Sequence, residues 1–142
     1  ASFSFANCAR SLVYGAMVTL KLGMDILAGE NVRMDSLLGH GGFFKTPGTA
    51  QKLLAGALNT PVSVMETAGE GGPWGMALLA AYRVHREKDE TLEDYLAHHV
   101  FAGANSVTIE PDSEDVQGFA VYAQRFEAGL SAERAAVSVL KV

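Results

Sequence analysis

Hydrophobic residues recur at helical spacing through the first part of the chain and predict one long helix. They fall three or four residues apart from Phe5 to Leu27, and Gly29 follows as a stop signal. Further apolar residues leave this helix only a narrow polar side, so we expect other elements to cover more than one of its faces. The apolar positions at helical spacing are Phe5, Ala9, Leu12, Val13, Ala16, Met17, Leu20, Met24 and Leu27.

The next apolar segments predict two strands joined by a helix. Residues 32–38 mix apolar and polar positions in a way that suits a strand covered on both faces, and residues 62–65 form a second candidate strand. Between them, residues 47–58 show helical spacing. A strand, a helix and a strand joined so closely imply a right-handed crossover and a parallel pair, whose carboxyl ends open on one edge of the sheet. Ligands of open α/β sheets bind at that edge.

The remainder of the chain predicts mainly helices. The predicted elements are a glycine-rich loop at 69–75, helices at 76–86, 91–99, 113–128 and 131–140, and a short strand at 106–109. The whole pattern indicates a helix-rich α/β fold with a small parallel sheet. Because two-stranded sheets are marginal alone, we expect the chain to be a fragment of a larger domain, with further strands beside residues 32–38.

The stretch Gly39-His40-Gly41-Gly42-Phe43-Phe44-Lys45-Thr46-Pro47 is the candidate binding loop. Thr46 can act as an N-cap, and Pro47 fits the first helical position. A glycine loop that leads into a helix N-terminus attracts anions, because free N–H groups and the positive end of the helix dipole point the same way. A nucleotide is therefore the first hypothesis, and an ordinary strand-to-helix turn is the alternative.

The same stretch nearly matches the phosphate-binding P-loop pattern. Phe44, however, stands where the pattern has its last glycine. A bulky residue there would block the backbone conformation that wraps phosphates, so the departure disfavours a true P-loop. The second glycine cluster, at 69–75, is expected to meet the first at the same edge of the sheet.

Composition and charge argue against several classes of function. The 142 residues suit one domain, and a net charge of -5 without a run of Lys or Arg lacks the electrostatic footprint of nucleic-acid or anionic-membrane binding. No uninterrupted apolar run approaches the ~20 residues that span a bilayer, so we predict no membrane partner. The single Cys8 cannot form an internal disulfide, and we expect a cytoplasmic protein. The start at Ala1 is interpreted as a cut inside a longer protein.

The ionisable residues form no recognisable catalytic or metal-binding set. His98 and His99 are neighbours in sequence, and adjacent residues do not share a helix face, so a metal site is not expected. The carboxylates at 110–115 suit a helix N-terminus better than acid/base chemistry. We therefore predict no catalytic residue and no metal ligand in this chain.

The order of these motifs resembles the C-terminal part of the FGGY carbohydrate kinases, most closely ribulokinase or xylulokinase. The resemblance covers about the first 86 residues. The family pattern has a Gly-Gly pair, a short variable stretch, Lys with Ser or Asn, then Pro, and later a Leu-Gly-Ala-Ala-like helix start. The matching segments here are Gly41-Gly42-Phe43-Phe44-Lys45-Thr46-Pro47, Pro61-Val62 and Trp74-Gly75-Met76-Ala77-Leu78-Leu79-Ala80.

The resemblance implies the C-terminal part of an actin-like, ribonuclease H-like ATPase domain that binds ATP or ADP with Mg²⁺. Gly41 and Gly42 would offer amides to the phosphates, Phe43 and Thr46 would line the ribose and adenine side, and Lys45 would flank it. Thr46 stands where many members carry Asn. The catalytic aspartate, the sugar site and most Mg²⁺ contacts belong to the family's N-terminal portion.

The sequence thus predicts the nucleotide-binding part of a kinase that phosphorylates a ketopentose such as ribulose or xylulose. We expect residues 1–86 to form the core of the nucleotide-binding domain and residues 87–142 to form a C-terminal helical extension. Without the N-terminal portion the fragment should be inactive, and missing strands should favour a homodimer. The alternative function is a non-catalytic interaction module of the same fold that has lost ATP binding.

Overall fold

The computed structural model describes residues 2–66 and 68–140, and the chain divides into two units. The first unit is built from Ala1–Asp35, Lys52–Thr60 and Glu110–Val142, and the second from Ser36–Gln51 and Pro61–Ile109. Each unit therefore takes residues from both sides of position 86. The predicted division into a core over 1–86 and an extension over 87–142 stays a prediction.

Eight regular elements follow one another along the described residues. They are α1 (Phe5–Gly29), β1 (Leu37–Gly39), α2 (Thr49–Leu58), β2 (Val62–Met65), α3 (Gly71–His85), α4 (Leu92–Tyr95), β3 (Ser106–Ile109) and α5 (Ser113–Val139). Single turns of 3₁₀-helix lie at Gly42–Lys45 and Ala68–Glu70, and a π-helical turn at Leu96–Val100 continues α4. Helices dominate, as the sequence predicts.

The second unit contains a three-stranded sheet in the order β1-β2-β3. The predicted parallel pair is confirmed, with Leu37 opposite Val62 and Gly39 opposite Val64. The expectation of a purely parallel sheet is wrong, because β3 runs antiparallel to β2 and places Ser106 opposite Met65. The reason is the route of the chain: β3 begins beside the carboxyl end of β2, and from there an antiparallel strand needs no further crossover.

The first unit is centred on contacts between α1 and α5. The Tyr14 ring meets the Phe119 ring edge to face with centroids 5.0 Å apart, and the Tyr122 ring at 5.4 Å. The Tyr122 hydroxyl donates a hydrogen bond of 3.2 Å to the Ser11 carbonyl oxygen. Tyr14, Val18 and Phe119 are buried, so this aromatic cluster forms the core of the unit.

Much of the apolar surface of α1 is exposed. Phe5 is 90% exposed and Leu12 is 74% exposed, although the periodicity predicts that both belong to a core face. By length and composition alone α1 could cross a membrane, a test that core helices of soluble proteins and signal sequences also pass. The sequence predicts that other elements cover more than one face of α1. The described residues do not provide that cover.

Three element boundaries differ from the prediction. Within residues 32–38, only Leu37 and Leu38 belong to β1, which ends at Gly39. The helix predicted over 76–86 begins at Gly71, since Pro73 is compatible with a first helical turn, where its missing N–H costs little. Gly129 does not separate two helices, because α5 runs through it to Val139; a glycine in an exposed helix interior costs only about 1 kcal/mol.

Candidate functional site

The glycine turn after β1 begins with a close contact between Gly39 and Phe44. Gly39 is buried, and a Cβ atom at that position would lie 2.5 Å from the Phe44 ring. The Phe43 ring meets the Phe44 ring edge to face, with centroids 5.6 Å apart. The chain thus folds back after β1 so that Phe44 covers Gly39. This packing gives residue 44 a structural role that a phosphate-wrapping P-loop would not allow.

Gly41 and Gly42 lie at the open side of this turn. Gly41 has φ +102° and ψ 179°, a conformation reserved almost entirely for glycine. Its N–H donates a hydrogen bond of 2.6 Å to the Ala68 carbonyl oxygen. Within residues 2–66 and 68–140, the Gly42 N–H has no backbone acceptor outside the turn. A Cβ atom at either glycine would meet no atom within 4 Å, so a ligand could approach the backbone there.

Thr46 does not cap the following helix as predicted. It ends the 3₁₀ turn in an extended conformation, and α2 begins three residues later at Thr49. Gly48, with φ +75°, lies between them in a conformation that no right-handed helix contains. The prediction of an N-cap at Thr46 and a first helical residue at Pro47 is wrong, because the chain makes an additional turn before the helix.

The second glycine cluster meets the first, as the sequence predicts. Besides the Gly41 to Ala68 hydrogen bond, a Cβ atom at Gly71 would come within 2.9 Å of the His40 Cβ atom. The cluster is less of a loop than expected, since its first two residues belong to the 3₁₀ turn Ala68–Glu70 and α3 begins at Gly71. The first turn of α3 therefore stands beside the glycine turn, and Glu70 is its N-cap residue without a side-chain capping bond.

An ion pair between Lys45 and Glu70 also connects the two segments. The Lys45 Nζ donates a hydrogen bond of 2.7 Å to the Glu70 Oε1. Both side chains are largely exposed to solvent, so the pair contributes little stability. This hydrogen bond, together with the positive charge of Lys45, lowers the pKa of the Glu70 carboxyl below its ordinary value of 4.5. At neutral pH the ionised carboxylate therefore pairs with the positive charge of Lys45.

The pH dependence of this pair is the first testable consequence. A carboxyl whose pKa is lowered in the folded protein gives its full contribution above its ordinary pKa and loses it as the pH falls through the lowered value. We expect the Glu70 carboxylate to stay ionised from neutral pH down past 4.5 and to protonate only below that. A carboxyl-carbon NMR titration measures this, and Lys45→Met should return the pKa to its ordinary value. An unchanged Glu70 pKa in Lys45→Met would contradict the pairing.

The structure brings the predicted site residues together on one turn. Gly42, Phe43 and Lys45 belong to the 3₁₀ segment, which Gly41 precedes and Thr46 follows. Phe43 is 47% exposed, and Thr46 is also exposed. These five residues therefore form one continuous surface, defined here as the glycine rim.

A cavity of about 610 Å³ adjoins the glycine rim, and sequence reasoning missed it. Its lining includes Phe44, Lys45, Gln51, Val64 and Val107. Gln51 is only 5% exposed, and its side-chain Nε2 donates hydrogen bonds to the carbonyl oxygens of Val62, at 3.1 Å, and of Val107, at 2.8 Å. The sequence gives only a weak signal, a polar residue next to Lys52 in the first turns of a largely apolar helix. Its partners lie 11 and 56 residues away, beyond any local pattern.

A comparison with protein families gives one match. The model of the FGGY family of carbohydrate kinases, C-terminal domain, matches residues 1–84. The matched segment covers more than half of the 142 residues and includes α1, β1, the glycine rim, α2 and β2, as well as most of α3. Comparison with curated proteins and with solved structures gives no match.

Proposed function

This chain belongs to the FGGY family of carbohydrate kinases, as part of their C-terminal domain, and we propose that its glycine rim binds the phosphates of ATP. The C-terminal domain of these kinases has a ribonuclease H-like fold, and the family uses ATP with Mg²⁺. The observation that carries the proposal is the open space at Gly41 and Gly42, where an added Cβ atom meets nothing within 4 Å.

Each residue of the glycine rim has a role in this proposal. Gly42 offers its N–H to a phosphate oxygen, and Gly41 allows the close approach because it carries no side chain. Lys45 supplies positive charge when its ammonium group leaves the Glu70 carboxylate and binds a phosphate oxygen instead. Phe43 and Thr46 are exposed beside these groups and line the ribose and adenine side. The Mg²⁺ ion is held mainly by groups outside this chain.

The chemistry of phosphoryl transfer explains why this chain should be inactive alone. The reaction depends on positioning and on stabilising the charge of the transferred group. We propose that the aspartate base and the sugar site are supplied by the family's N-terminal domain. A chain that carries only the glycine rim would then bind nucleotide weakly and transfer nothing.

The proposed acceptor is a ketopentose such as ribulose or xylulose, and the proposed location is the cytoplasm. A kinase assay of the intact protein with ATP, Mg²⁺ and a panel of sugars tests the acceptor. We expect ADP formation that depends on ribulose or xylulose, and none from the isolated chain of residues 1–142. Activity only with a hexose or a triol would reject the ketopentose, and turnover by the isolated chain would reject the division of roles.

A homodimer is the proposed assembly, without nucleic-acid or membrane partners. Leu38 on the edge strand β1 is 54% exposed, and exposed strand edges and apolar helix faces favour pairing with another copy. Light scattering of the intact protein should give twice the mass of one chain. A single-chain mass at micromolar concentration would contradict the dimer.

The second candidate is a non-catalytic interaction module that keeps this fold. Two observations favour it: the Gly41 N–H is already bonded to Ala68, and Glu70 already occupies the Lys45 ammonium group. Both would reduce the attraction for phosphate. Absence of nucleotide binding by the intact protein would favour this second candidate.

A further inference from the structure

We propose that Glu70 competes with phosphate for Lys45: its carboxylate holds the ammonium group against the second glycine cluster until a phosphate oxygen displaces it. The inference rests on the proposed phosphate site and adds a residue that sets the affinity of that site. Glu70 lies outside the glycine rim, at the N-cap of α3. If it competes in this way, the protein binds phosphate ligands more weakly than it would without that carboxylate.

The Lys45 side chain lies against the second glycine cluster. A Cβ atom added at Gly69 would lie 3.4 Å from the Lys45 Cγ atom and 3.5 Å from its Cε atom, distances of ordinary van der Waals contact. Beyond Cε, the Lys45 Nζ atom reaches the Glu70 Oε1 atom at 2.7 Å. By contrast, a Cβ atom added at Gly41 or Gly42 would meet no atom within 4 Å, those of the Lys45 side chain included. Lys45 is therefore directed toward Glu70 and not toward the open side of these two glycines.

The Glu70 carboxylate and a phosphate would use the same donor. Both offer an anionic oxygen to the Lys45 ammonium group, and such charge-assisted hydrogen bonds are stronger than those between neutral groups. The hydrogen bond from Lys45 and its positive charge lower the pKa of the Glu70 carboxyl below 4.5, so the carboxylate is ionised at neutral pH. Because two anions repel each other at one ammonium group, a phosphate that binds Lys45 has to displace Glu70.

The exposure of the ion pair determines how strongly it can compete. Both side chains are largely exposed, so the pair is weak enough to exchange its partner. A pair of this strength should raise the apparent dissociation constant ~2–6-fold, because only molecules in which the pair is open bind phosphate through Lys45. The hydrogen bond of 2.6 Å from the Gly41 N–H to the Ala68 carbonyl oxygen does not involve Lys45. The two glycine segments therefore stay joined when the ion pair opens.

Calorimetry on the intact protein with pyrophosphate tests the competition. Glu70→Gln keeps the size of the side chain and removes its charge, and we expect this variant to bind pyrophosphate ~2–6-fold more tightly than wild type. Glu66→Gln is the matched control, since it removes the same charge from an exposed position four residues earlier. Within residues 2–66 and 68–140, Glu66 forms no ion pair. Its substitution should therefore change the affinity by less than ~2-fold, through screened charge alone.

A double-mutant cycle separates competition for Lys45 from general repulsion of anions. In the Lys45→Met background, Glu70→Gln should change the pyrophosphate affinity no more than Glu66→Gln does, because no ammonium group is left to compete for. Equal affinity of wild type and Glu70→Gln, or the same gain in both backgrounds, overturns the competition while the phosphate site stands. Failure of wild type and Glu70→Gln alike to bind pyrophosphate overturns both the competition and the phosphate site.

Discussion

Gly39→Ala is expected to reduce the free energy of unfolding by about 1–3 kcal/mol, the usual cost of overpacking. The added methyl group would lie 2.5 Å from the Phe44 ring, a distance that forces the ring away from β1. Because Phe44 belongs to the 3₁₀ turn, displacing its ring should also disturb Gly41 and Gly42. Urea denaturation measures the loss in stability.

Two further variants identify the cause of this loss. Gly42→Ala is the matched control, since its methyl group meets nothing within 4 Å, and its stability should stay within ~0.5 kcal/mol of wild type. The double variant Gly39→Ala, Phe44→Ala should recover part of the loss, with a coupling energy of ~1 kcal/mol or more. Strict additivity of the two substitutions would show that Phe44 does not cover Gly39.

Gln51→Met is expected to cost about 2–4 kcal/mol, because each carbonyl that loses its partner in a buried site costs ~1–3 kcal/mol. Methionine keeps the length and approximate shape of the side chain but cannot donate to the Val62 and Val107 carbonyl oxygens. Since these carbonyls belong to β2 and β3, the loss should appear as faster hydrogen exchange in both strands.

Thr49→Met is the control for this prediction. Thr49 lies two residues earlier in the same helix and is exposed, so its replacement should change stability by less than ~0.5 kcal/mol. If Gln51→Met unfolded at the same urea concentration as wild type, the bridging role of Gln51 would be wrong.

Local signals explain the parts of the fold that the sequence predicts well. The ends of α1 and the β1 and β2 pairing follow from helical spacing, turn residues and the short crossover. Thr91 caps α4 through a hydrogen bond from the Asp94 N–H, three residues further along the chain. Each of these features depends on residues close together in the chain.

The errors concern features that depend on distant contacts or on glycine conformation. Thr46 and Pro47 have the chemistry of a helix start, but the φ of +75° at Gly48 adds a turn that composition does not reveal. The direction of β3 depends on where α3 and α4 return the chain. The role of Gln51 depends on a strand 56 residues away. Periodicity contains no information about any of these contacts.

For the candidate binding site too, one feature could be predicted from the sequence and another depends on a distant contact. That the two glycine clusters meet could be predicted, because the carboxyl ends of parallel strands share one edge. The hydrogen bond of the Gly41 N–H within the protein could not be predicted, since it depends on the position of the Ala68 carbonyl oxygen. Only one amide of the glycine pair therefore remains for a phosphate in our account.

The central claim is that a nucleotide phosphate binds at the open side of Gly42. Calorimetric titration of the intact protein with ADP and Mg²⁺, in wild type, Gly42→Val and Gly129→Val, tests it most directly. Both glycines have free space around an added Cβ atom, and Gly129 lies within α5, so Gly129→Val is a matched control. We predict binding by wild type and Gly129→Val and an affinity ~10-fold or more lower for Gly42→Val. No binding by the wild type, or equal binding by all three proteins, would contradict the account.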